Sequence, residues 1–166
     1  MPESKTTIDR YIDATSVQKE LLLKFVIVFS RFEYALKRGG YRQKGDAAKP
    51  DWDKFAQECE SLQPEAVLQL KTSGEYLISR PPGKQVYIDD DCLDFVPIKF
   101  ANEPHLAEKL IRYIKTVRNN LFHGGKYPGK YIDEPGRNAE LLESSIATLI
   151  CLLKTNKKLQ GLFIEV

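Results

Sequence analysis

Long apolar runs are missing from this chain, and so is any strong bias of charge. The most apolar stretch, residues 21–29, carries Lys24 and is too short to span a bilayer, so no membrane partner is expected. Residues 1–16 lack an apolar segment followed by a small-residue cleavage site, so no secretory leader is read there. Three cysteines, Cys59, Cys92 and Cys151, are odd in number and widely spaced. That excludes a disulfide framework and suits a reducing, cytoplasmic setting. The net charge of +2 excludes a protein that coats nucleic acid by bulk charge; any such contact must come from a local patch. Only two histidines occur, His105 and His123, and neither has a second His or a Cys at zinc-ligand spacing. Asp89, Asp90, Asp91 and Asp94 are the nearest approach to a magnesium set. They lack companion ligands and read as solvated loop acids, so neither metal nor cofactor is expected.

What is present is helical periodicity in a chain of 166 residues, enough for one domain spanning residues 1–166 with a respectable core. After a polar arm with a short helix at residues 8–12, Thr15 and Gln18 stand in capping-box spacing. The helix they open runs to about Arg38. Its apolar face carries Leu22, Phe25, Val26, Phe29, Phe32 and Leu36, and Gly39-Gly40 ends it. Asp51 caps a second helix with Trp52, Phe55, Ala56, Cys59 and Leu62 on one stripe, and Pro64 opens a third that Ser73-Gly74 breaks. The period then changes. Residues 76–79 and 85–88 flank Arg80-Pro81-Pro82-Gly83-Lys84, which predicts a hairpin or paired extended segments. Asn102 is an N-cap candidate, with Pro104 in the first turn of a helix bearing Leu106, Leu110, Ile114, Val117 and Leu121. Gly124-Gly125 stops it near His123, and a last helix is expected over residues 138–155. The fold class is all-α: a helix bundle with a small β excursion.

The stretch from Val117 to Lys126 carries the chemistry. Arg118, Asn119 and His123 close a helix, followed by glycines. An ideal helix turns about 140° and rises about 7.5 Å over five residues, so Arg118 and His123 share a face only where the backbone unwinds. A helix ending in Arg-Asn-x-x-x-His, then a loop and one more amphipathic helix, resembles the HEPN superfamily. The resemblance rests on residues 15–38 and 102–155 and leaves residues 41–100 as an insertion. It implies a four- or five-helix bundle that dimerises, with Arg118, Asn119 and His123 as catalytic residues of a metal-independent endoribonuclease. It also implies an accessory acid on an earlier helix, for which Glu33 is the candidate. Some relatives are toxins or defence effectors restrained by an antitoxin or other inhibitor protein. In one such system the antitoxin modifies a Tyr two residues past the His. Here position 125 is Gly and the nearest Tyr is Tyr127, a departure from that pattern.

The chemistry is consistent with the motif. Metal-free RNA cleavage uses the neighbouring 2′-hydroxyl as nucleophile. It needs a proton acceptor, a proton donor for the departing 5′-oxygen, and cations facing the phosphoryl group. Histidine titrates near neutrality and serves either proton role, while arginine offers a planar fork to phosphate. One chain supplies one such pair, and a two-fold dimer would supply two. Lys126 and Tyr127 are accessory candidates in the loop that follows. Arg31, Lys37, Arg38, Arg42 and Lys44 form a basic run that either guides an RNA backbone or is simply solvated. Structural readings stand beside these: Arg118 paired with a loop carboxylate, His123 capping its helix, Asn119 bonding local backbone, Glu33 in register with Lys37. The competing functional reading is a catalytically inactive module that binds RNA, nucleotide or a partner chain.

Overall fold

The computed structural model describes residues 6–7, 17–89, 92–123 and 136–165. The short helix expected at residues 8–12, Thr15 of the capping box, Asp90 and Asp91, and Gly124, Gly125, Lys126 and Tyr127 lie outside these.

Helix α1, Lys19–Gly39, buries Phe25, Val28, Phe29, Phe32, Ala35 and Leu36. It begins three residues later than the capping-box spacing predicts. Gln18 stands at its N-cap and makes no side-chain cap bond, although its carbonyl accepts from the Leu21 and Leu22 amides. The C-terminus follows expectation: Gly40 adopts φ 106° and donates its N–H to the Leu36 carbonyl. Helix α2, Trp52–Glu58, is capped by Asp51, whose carboxylate accepts from the Lys54 amide. A 3₁₀ turn, Cys59–Ser61, leads to α3, Pro64–Ser73, with Pro64 in its first turn.

The next segment departs from the sequence expectation. Residues 76–79 do not form a strand; they belong to a short helix α4, Glu75–Ser79. The run is too short for periodicity to decide, and tertiary burial decides instead: Leu77 is fully buried in the core. The strand β1, Lys84–Asp89, pairs antiparallel with β2, Cys92–Val96, which lies after it in sequence. Lys84 faces Val96 and Tyr87 faces Leu93, with an irregularity between Tyr87 and Asp89. The hairpin thus exists, shifted downstream by one segment.

Helix α5, Leu106–Phe122, is capped by His105, whose Nδ1 accepts from the Glu108 amide, and not by Asn102. Pro104 explains the shift, because the residue before a proline is steered out of the helical region. Helix α6, Arg137–Lys154, matches expectation to one residue at each end. Beyond it comes an unexpected helix α7, Lys157–Ile164, capped by Asn156 and anchored by the fully buried Leu159. Leu159 lies so close to α1 that a Cβ on Gly39 would clash with its Cδ2.

The described residues are mostly helical with one small antiparallel sheet. Helix α1 packs on α6 and α7, α2 on α5, and α3 and α4 on α6. Trp52, Phe55, Leu70 and Leu77 join the same hydrophobic cluster as the long helices, so residues 52–79 contribute to the core. The hairpin leaves Tyr87, Ile88 and Leu93 exposed.

Candidate nucleic-acid interface

The last turns of α5 carry two distinct faces. Leu110, Ile114 and Val117 point into the core. Arg112, Lys115, Thr116, Asn119 and His123 recur at steps of three and four, so they form a second stripe on the same helix. That stripe opens onto a groove of about 720 Å³, whose opposite wall is Lys84, Gln85 and Val86 of β1, Val96, and the Pro97-Ile98-Lys99 segment. His123 is exposed at the helix end, its amide bonded to the Asn119 carbonyl at 2.9 Å.

Asn120 ties the two walls together. It is buried, and its Nδ2 donates to the Gly83 carbonyl at 2.9 Å, holding the root of β1 against the tip of α5. Gly83 is required by close approach: a Cβ there would stand 2.9 Å from the Phe95 Cβ. Lys84 follows immediately and is thereby fixed at the groove.

The charge of the groove is one-sided. Lys84, Lys99, Arg112 and Lys115 line it, and no carboxylate does so among the described residues. The Arg112 guanidinium also lies over the Phe100 ring at 5.8 Å. Such a cleft attracts polyanions through the local field despite a net charge of only +2.

Of the residues singled out in the sequence, Asn119 and His123 come together on this groove. Arg118 does not line it. Helix α5 stays regular through Phe122, so no unwinding brings the guanidinium round to the imidazole. Arg118 is half-buried, with its guanidinium 4.9 Å from the Phe122 ring centroid and 6.0 Å from that of Phe29. Its Nη1 donates to the Asn119 Oδ1 at 3.2 Å, so it remains tethered to the groove residue beside it.

Glu33 is occupied structurally: its Oε1 accepts from the Trp52 Nε1 at 3.3 Å. Trp52 in turn packs on Phe29 at 5.5 Å, so Glu33 and Arg118 approach the same aromatic pair from α1 and α5. Lys126 and Tyr127 lie outside the described residues. Arg31 leaves the expected basic run. Its Nε and Nη2 donate to the carbonyls of Leu162, Phe163 and Glu165, capping the end of α7. Lys37, Arg38, Arg42 and Lys44 line a separate cleft that also contains Asp46.

Sequence reasoning missed Lys84, Lys99, Arg112, Lys115 and Asn120. The helical stripe through Arg112, Lys115 and Asn119 was a readable signal. Lys84 and Lys99 reach the groove only through the fold. Among the described residues, no group of three or more His, Cys, Asp or Glu is arranged to hold a metal ion. No helix among them is long and apolar enough to cross a membrane. Comparison with protein-family models, curated proteins and solved structures returns no match.

Proposed function

We propose that this protein is a HEPN-like, metal-independent endoribonuclease that cleaves RNA through attack of the 2′-hydroxyl. The observation that carries the reading is that His123 and Asn119 share the face of α5 that opens onto a cationic groove without carboxylates. In the reaction the 2′-oxygen forms a new bond to phosphorus as its proton passes to a base. The bond from phosphorus to the 5′-oxygen breaks, and that oxygen leaves with a proton. The products are a 2′,3′-cyclic phosphate and a free 5′-hydroxyl. His123 is the proton-transfer group. Asn119 orients it or a phosphate oxygen, and Arg118, reached through Asn119, supplies the guanidinium for charge on the phosphoryl group. Two transfers require two such groups, which a homodimer provides by joining two α5 tips.

A cytoplasmic toxin or defence role, with an inhibitor protein as partner, belongs to the same proposal and follows from the resemblance alone. One observation favours the second reading, a binding module without catalysis. In the single chain Arg118 is engaged with Phe122 and Asn119 and does not line the groove.

The test is RNA cleavage in excess chelator by the wild type, Arg118→Ala and His123→Ala. Cutting by the wild type to cyclic-phosphate ends, lost in both variants, is the expected result. RNA bound but left intact by the wild type assigns the binding module instead.

A further inference from the structure

We infer that the β-hairpin and the segment after it form one wall of a track for the RNA backbone, with Lys84 and Lys99 holding phosphates against Arg112 and Lys115 of α5. The inference rests on the RNA-directed reading above and extends it from the proton-transfer group to the residues that deliver the strand.

Three observations converge on it. The four cations come from both walls of one groove, and no acid among the described residues lines it to compete. Along α5 the rise from Arg112 to His123 is about 16 Å, so the cations and the imidazole mark positions along a line rather than a point. The hairpin wall is also held in place, since Asn120 bonds the Gly83 carbonyl directly before Lys84. A loose surface loop bearing the same lysines would give charge without register.

The composition of the walls says what kind of chain fits. Val86, Val96, Pro97 and Ile98 give the strand wall an apolar surface beside its lysines, and no Phe, Tyr or Trp lines the groove among the described residues. Phosphates are held by charge, then, and bases meet a surface that ranks them little. The cleft of Lys37, Arg38, Arg42 and Lys44 at the far end of α1 competes for the same role. It contains Asp46, and it lacks the proton-transfer group.

The experiment measures binding of a short single-stranded RNA by fluorescence anisotropy across a salt series, using the His123→Ala protein so that the probe stays intact. For single strands the slope of log K against log salt is about −0.7 per phosphate contact. Lys84→Ala with Lys99→Ala should weaken binding and reduce the slope magnitude by about 1.4. Arg112→Gln with Lys115→Gln, from the opposite wall, should do the same, which guards against a misfolded hairpin as the cause. Lys37→Ala with Lys44→Ala should leave the slope unchanged.

RNA bound with an unaltered slope in both groove doubles, or a slope lost only in the Lys37 and Lys44 variant, overturns the track while leaving an RNA-directed function standing. Polyglutamate bound as tightly as RNA assigns the groove to an acidic protein partner and overturns it too. No RNA binding at all at low salt removes the functional reading together with the track.

Discussion

At the scale of single residues, His123 has the clearest expected effect. General acid–base groups contribute about 10²–10⁴-fold to rate, so His123→Ala should lower RNA cleavage by that factor with little change in thermal stability, because the ring is exposed. Single-turnover cleavage beside a melting curve separates the two. Cys59 makes the opposite kind of prediction. Burial, aided by the neighbouring Glu58 charge, pushes its thiol up from 9.0 to about 12. Folding therefore favours the protonated thiol. That contribution is complete below pH 9.0 and is lost as pH rises through about 12. The melting temperature should fall over this window, and less steeply in Cys59→Ala. Tyr41, whose phenol burial also raises, continues to titrate in that variant and sets the residual slope. Asn119 and His123 could be placed from helical period alone, since a four-residue step returns to the same face. The engagement of Glu33 by Trp52 could not, because an indole nineteen residues away is brought to the carboxylate only by the packing of α2 on the core.

At the scale of elements, the hairpin depends on one side chain. Asn120→Ala leaves the Gly83 carbonyl without this bond, at a cost of about 1–3 kcal/mol in a denaturant titration. Asn120→Asp keeps the shape but removes the donor, so it should lose comparably. If instead Asn120→Ala melts like the wild type and binds RNA with the same salt slope, the tie has no part in fixing the wall. The long helices were legible because all three repeat apolar residues over about five turns, and Gly40 marks the end of the first, as Asp51 marks the start of the short α2. Residues 75–79 were not legible: Tyr76, Leu77 and Ile78 suit either structure, and the choice falls to the pocket that receives Leu77. Helix α7 was missed for a similar reason. Its eight residues include Gly161, and its stability comes from Leu159 against Gly39 and from Arg31 reaching its C-terminal carbonyls.

At the scale of the whole molecule, the proposal requires two copies. The purified protein should sediment as a dimer at micromolar concentration. Mixing wild-type with His123→Ala subunits should lower cleavage by more than the fraction of variant added, because a mixed dimer brings one imidazole to a cleft that needs two. A strict monomer that still cuts RNA would show that one chain completes the chemistry. The groove itself is where the sequence was least informative. Four cations from β1, from the segment after β2 and from α5 have no common spacing along the chain, and only the antiparallel register beside α5 makes them one surface.

Asn120 stands three residues before His123, so the root of the hairpin and the imidazole ride on one helical turn. The Asn120 bond is thus a short mechanical link between the strands and the ring. If the proposed cleavage holds, a different hairpin grafted onto this helix tip should change its rate as well as RNA affinity.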